Sequence, residues 1–215
     1  MTPDVRPRVL ITGACRGVGR ECAEAFAARG AELILADHDA DGLRELSPQL
    51  GAVGRYCDVA SEASVTVFAA EILERYDSLD LVINAAGGGY ERTLGMYRVS
   101  RALLPALRRG QIHKMLLNIP PAAEDSADAI FPYASSQQAF QRLCAALAAE
   151  TRGSAIQVLI GQPGSDHISQ VLPDRNAGSL ADSFDVAHHT GVGHIGFAAH
   201  VASLFDPPEE VRRAC

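Results

Sequence analysis

The stretch "ITGACRGVGRECAEAFAARG", residues 11–30, decides the fold. A short apolar run, residues 9–11, leads into it; three glycines follow, and an alanine-rich pattern closes on Gly30. That order reads as strand, tight turn and helix. Gly13, Gly17 and Gly19 suit the turn, because a residue without Cβ takes positive φ and lets a pyrophosphate come close to the backbone. Arg16 and Val18 fill the places between the glycines. The next helix aims its free amides and the positive end of its dipole at such phosphates. The spacing G-x-x-x-G-x-G differs from G-x-G-x-x-G, and a glycine pattern alone is weak. Its context is what counts: a strand before, a helix after, and an acid at the end of a second strand.

That acid is Asp37, which closes "LILAD", residues 33–37. Its carboxylate can accept hydrogen bonds from both adenosine ribose hydroxyls and would repel a 2′-phosphate. Arg16 pulls the other way, since a guanidinium in the glycine turn could meet that phosphate. His38 and Asp39 follow Asp37, with no Lys or Arg beside it. The balance favours NAD(H) over NADP(H).

Outward from this unit, short apolar runs alternate with helical patterns, which is the signature of βαβ units. Strands are predicted at 9–11, 33–36, 55–57, 79–83, 115–119 and 156–160. Helices are predicted at 21–29, 61–76 (with Ser61 as cap), 97–108, 132–152 and 196–205. Residues 42–54 show no clear pattern. The expected fold is α/β: a Rossmann-like, doubly wound parallel sheet in three αβα layers, with ligands at the strands' carboxyl ends. The whole of 1–215 reads as one domain, with a divergent segment at 165–215. Its first part, 165–194, is rich in Gly, His, Asp and Ser and reads as a mobile loop or lid.

Composition narrows the function classes. A net charge of −7 argues against nucleic acid or an anionic membrane surface as partner. No apolar run is long enough to span a bilayer. The start, "MTPDVRPRVLITG", lacks the apolar core of a signal peptide. Cys15, Cys22, Cys57, Cys144 and Cys215 are scattered and form no CxxC pair, so neither a disulfide framework nor a zinc site is expected. Reduced thiols in a cytoplasmic protein are the expectation. His188, His189, His194 and His200 lack the acids and spacing of a known metal motif, and read as solvated. Cys15, beside the glycine turn, reads as a small packed residue rather than a redox sensor.

With these residues in place, the chain resembles the short-chain dehydrogenase/reductase family over residues 8–164. "TGACRGVG" matches the family's TGxxxGxG turn. "CDV", residues 57–59, matches the acid that meets the adenine ring, here Asp58, with Val59 next to it. "NAAG" matches the NNAG-type motif beside the adenosine, here Asn84, Ala85, Ala86 and Gly87. Tyr133, in "YASSQ", stands where the family's catalytic tyrosine stands, and Pro163–Gly164 match the turn near the nicotinamide. The resemblance implies a dinucleotide cofactor, a small carbonyl or alcohol substrate, and homo-oligomers formed through the fourth and fifth helices.

The family's Asn-Ser-Tyr-Lys set is altered at three of its four places. Gln137 occupies the lysine position, Pro121 of "NIPP" the serine position, and the asparagine position falls near Arg92. The stretch between Gly87 and the fourth helix is also much shorter than in the family, and the closing V-D-G-G strand is absent. A free phenol has a pKa of about 10, and a neighbouring ammonium lowers it. Glutamine carries no charge to do so, although it can bond a ribose hydroxyl. Pro121 offers no donor to a developing oxyanion. Ser126, Ser135 and Ser136 are weak substitutes, and Lys114, the chain's one lysine, lies at the far end of the fifth strand. Two readings stay open. One is an NAD(H)-binding protein with a degraded catalytic set, acting through cofactor or partner binding. The other is a working NAD(P)H-dependent oxidoreductase that reduces a small carbonyl with Tyr133 as proton donor.

Overall fold

The computed structural model describes residues 6–87, 89–120, 130–163, 167–171 and 194–203. Its strands are β1 (Arg8–Thr12), β2 (Glu32–Asp37), β3 (Val53–Tyr56), β4 (Leu81–Asn84), β5 (Met115–Asn118), β6 (Gln157–Gln162) and β7 (His167–Gln170). Its helices are α1 (Gly17–Ala27), α2 (Ala40–Gln49), α3 (Glu62–Arg75), α4 (Gly89–Arg108), α5 (Ile130–Glu150) and α6 (His194–Ser203). The strands form one sheet in the order β3-β2-β1-β4-β5-β6-β7. The first six are parallel, and β7 runs antiparallel to β6. The fold is thus the Rossmann-like α/β arrangement, with the strand order reversing between β1 and β4. A crevice opens at such a reversal, because the connections leave the two strand ends in opposite directions.

The central strands carry apolar runs, Val9–Ile11, Leu33–Ala36 and Leu81–Ile83, because both sheet faces are covered there. Leu10, Ile34, Val82 and Leu116 face a cluster that includes Phe68 and Ile72 of α3, Val99 and Leu103 of α4, and Phe140 and Leu147 of α5. Val9, Ile11, Leu35 and Ile83 face the other cluster, with Phe26 of α1, Leu43 and Leu46 of α2, and Phe197 and Val201 of α6. Alternate residues of each strand therefore serve opposite layers.

Three readings from the sequence need correction. Residues 42–54 hold a helix, α2, despite Gly42 in its first turn and Pro48 near its end. Both residues lower helix propensity. The Asp39 side chain compensates by accepting from the Gly42 amide at 2.9 Å, and Leu43 and Leu46 are buried. The expected loop from 165 contains β7, a four-residue strand whose Ile168 and Ser169 pair with Gly161 and Ile160. So short a strand has no periodicity to read; its hydrogen bonds come from β6. The fourth helix starts at Gly89 rather than 97, almost directly after the "NAAG" turn. Smaller shifts affect element ends: Leu79, expected in the fourth strand, precedes β4 and donates its amide to Ala106 O at 3.1 Å.

Candidate functional site

A cleft opens where β1 to β4 end, at the strand-order reversal. Its floor is the glycine turn. Gly13 has φ of +67°, and a Cβ built on it would come within 2.6 Å of Ala86 N. The glycine turn and the "NAAG" turn therefore touch backbone to backbone. Gly19 is as constrained: its Cβ would lie 2.1 Å from Gly13 O, where α1 tucks under the turn. A Cβ on Gly17 would meet nothing within 4 Å, so this side of the turn is open. Open backbone at a helix start, with free amides, is the cradle a pyrophosphate needs. Arg16 caps α1 in extended conformation and lines the cleft, and Val18 lies half-buried in the first turn of that helix.

Asp37 ends β2 inside the cleft and is 3% exposed. Its Oδ2 accepts the Cys15 amide and its Oδ1 the Asp39 amide, each at 3.0 Å. His38 Nδ1 lies 3.0 Å from the same Oδ1. These contacts fix the carboxylate at the rim of the glycine turn. Oδ2, with one partner, keeps a second lone pair with which to accept a hydroxyl. Asp58 and Val59 follow β3 and line the adjacent wall. Asp58 Oδ1 accepts the Ala60 amide at 3.0 Å, and its own amide donates to Ser64 Oγ at 3.0 Å. Helix α4 crosses close behind: a Cβ on Gly95 would fall 2.1 Å from Val59 O.

The "NAAG" residues divide their labour. Ala85, Ala86 and Gly87 line the cleft. Asn84 is buried behind them, and its Nδ2 donates to Ser100 Oγ on α4 and Asn118 Oδ1 on β5, each at 2.9 Å. It ties together two strands and a helix. Asn84→Ala should lower stability by about 2–3 kcal/mol, because two buried acceptors lose their donor. Urea unfolding would register this as a lower midpoint.

Of the positions that the resemblance assigns to catalysis, two lie on α5. Tyr133 lies in the first turn of α5, and Gln137, partly buried, follows one turn later. Pro121, Ser126, Gly164, His188 and His189 fall outside the described residues, while Pro163 is half-buried after β6. Lys114 immediately precedes β5, and its ammonium donates to Arg108 O at 2.6 Å. It stands at the amino end of the strands, opposite the cleft.

Three cleft residues were not expected there: His38, Cys57 and Arg92. His38 could have been suspected from its place after Asp37. Arg92, near which the resemblance puts the catalytic asparagine position, occupies the first turns of α4, lines the cleft, and donates from Nη1 to Gly87 O at 3.0 Å. The run of three glycines at 87–89 disfavours helix locally, so no signal in that stretch marks the early start. Cys15 is a thiol held protonated: burial, then Asp37 and Asp39, push it up to about 12. Cys57, also on the cleft wall, is pushed up to about 12 by burial and by Asp58. Neither is poised as a nucleophile. No described helix is long and apolar enough to cross a membrane.

Comparison with known proteins agrees with this geometry. Residues 7–175 match the family model described as short chain dehydrogenase. The chain is 32% identical over 193 residues to dehydrogenase/reductase SDR family member 7B of Bos taurus, covering 76% of this chain and 59% of that one. It therefore spans about three-fifths of that relative's length. It is 30% identical over 194 residues to L-fucose dehydrogenase of Oryctolagus cuniculus, covering 79% and 68%. Among solved structures, a variant of actinorhodin polyketide ketoreductase with NADPH superposes with a TM-score of 0.70 at 25% identity, covering 94% of this chain and 91% of that one.

Proposed function

The chain belongs to the short chain dehydrogenase family, and on that premise we propose that residues 1–215 form one NAD(H)-binding domain whose proton-transfer set has decayed. It works through cofactor or partner binding rather than efficient turnover. The observation that carries the reading is a contrast. The glycine turn and the buried Asp37 carboxylate keep a dinucleotide-binding form, whereas Gln137 and Pro121 stand in place of a cation and a hydroxyl.

Gly13, Arg16, Gly17, Val18 and Gly19 would hold the pyrophosphate. Asp37 would take the adenosine ribose, Asp58 and Val59 the adenine, and Asn84 to Gly87 would close the adenosine side. Pro163 and Gly164 would flank the nicotinamide. When bound, the cofactor supplies or accepts the hydride of a carbonyl–alcohol exchange. NAD(H) is favoured over NADP(H) because the Asp37 carboxylate, fixed by the Cys15 amide, would face a 2′-phosphate with like charge. The NADPH found with the ketoreductase is that protein's cofactor; here Arg16 alone of the glycine-turn residues would favour the phosphate.

The neutral phenol of Tyr133 can donate a proton, so residual activity would run towards reduction of a small carbonyl. Alcohol oxidation needs the phenolate, which has lost its ammonium. Helices α4 and α5, which pack on each other, would also join copies of the chain through their remaining faces.

Fluorescence titration with NADH and NADPH, followed by NADH consumption over a panel of small carbonyls, tests the reading. The expected result is saturable binding, tighter for NADH, with feeble or no consumption. Robust turnover abolished by Tyr133→Phe would establish a working reductase instead. Absence of binding to either nucleotide refutes both.

A further inference from the structure

We propose that Arg92 grips the diphosphate of a bound adenine nucleotide, which makes the start of α4 part of the binding site. The proposal rests on the NAD(H)-binding reading above and adds a contact that the reading does not contain.

The argument begins with where α4 starts. Its first residue is Gly89, two beyond Gly87, so the helix rises directly from the end of the "NAAG" turn. Arg92 follows three residues later and is exposed. Its guanidinium does not hang in solvent: Nη1 donates to Gly87 O at 3.0 Å, and the side chain lines the cleft together with Gly13 and Arg16. The Gly87 turn is itself pressed on the glycine turn, since a Cβ on Gly13 would lie 2.6 Å from Ala86 N and 2.7 Å from Ala86 Cα. A group anchored on Gly87 therefore stands beside the backbone that would cradle phosphate.

Charge points the same way. The bond to Gly87 O occupies one of five guanidinium donors and neutralises nothing, because a carbonyl bears no formal charge. The carboxylate nearest the turn, Asp37, already holds two backbone amides and adjoins His38. Asp58 accepts the Ala60 amide. A planar fork with donors to spare, facing a cleft with a second guanidinium, suits a diphosphate, whose paired oxygens accept two parallel N–H bonds. Adenine or ribose would gain little from the charge.

Calorimetric titration of the full chain with ADP, adenosine and NADH decides the matter. Arg92→Gln removes the charge but keeps an amide donor. It should weaken ADP and NADH by about 10–100-fold, the range lost with a charge-assisted hydrogen bond, and leave adenosine within about twofold. Arg92→Lys, which retains the charge, should recover part of the ADP affinity. Equal losses for adenosine and ADP, unchanged ADP binding in the glutamine variant, or a lysine variant as weak as the glutamine one would each overturn the proposal. If the wild-type chain binds ADP and NADH but is indifferent to Arg92→Gln, this proposal fails and the NAD(H) reading stands. If the wild-type chain binds neither, the NAD(H) reading fails and takes the proposal with it.

Discussion

Gly13→Ala is expected to abolish useful NADH binding, raising the dissociation constant by at least about 100-fold, which corresponds to roughly 3 kcal/mol. Two separate costs fall on this one methyl group. Gly13 sits at φ of +67°, a region that costs an L-residue with a Cβ about 1–2 kcal/mol. The added carbon would also lie 2.6 Å from Ala86 N, 2.7 Å from Ala86 Cα and 2.8 Å from Ala85 C. All three are backbone atoms, so no side chain can swing aside. The glycine turn and the "NAAG" turn must part, and the cleft between them changes shape. Stability should fall as well, by about 2 kcal/mol or more.

Gly17→Ala makes the informative comparison. Its φ is +53°, but its Cβ would meet nothing within 4 Å. It should cost less stability than Gly13→Ala while still placing a methyl group where phosphate would approach. NADH fluorescence titration and urea unfolding of both variants separate the two effects. Unimpaired NADH binding by Gly13→Ala would show that the nucleotide does not use this turn.

The double variant Pro121→Ser, Gln137→Lys is expected to raise carbonyl reduction by about 10²–10³-fold, the range associated with one oxyanion donor. Alcohol oxidation should rise further. A phenol with a pKa of about 10 lies about 3 units above neutrality, or about 4 kcal/mol, and an ammonium one helical turn away reduces that gap. Serine supplies the hydroxyl that proline lacks, and lysine a cation that Lys114 cannot, since that ammonium is bound to Arg108 O at the opposite end of the sheet. Steady-state rates in both directions across pH give the readout. If binding is intact and the double variant stays silent, the missing relay is not the whole loss. The early start of α4 then becomes the physical explanation: the segment that would wall a substrate pocket between Gly87 and the helix is reduced to Gly88.

Much of the architecture could be read in advance because its causes are local. The passage from Val9 to Gly30 carries strand, turn and helix within twenty-two residues, and the positive φ of Gly13 and Gly17 is a property of single residues. Asp37 could be assigned because it ends a buried strand by one residue's reach. Helix α2 is not legible locally because Gly42 and Pro48 speak against it, while the burial of Leu43 and Leu46 that sustains it comes from the sheet. Strand β7 is illegible for a similar reason: four residues take their order from β6.

Residue order alone was enough to read a parallel sheet and its glycine turn, and to put forward Gln137 and Pro121 at the places where the family resemblance expects a lysine and a serine. Those features depend on neighbours in the chain. Folding settled the rest: that Asn84 is turned inward to Ser100 and Asn118 rather than outward to the cleft, and that Arg92 reaches the cleft and bonds Gly87 O. Such outcomes turn on the register between strands and on the residue at which α4 begins. A shift of one position along a helix moves a side chain by about 100°, and no short window of sequence specifies that angle relative to a strand dozens of residues away.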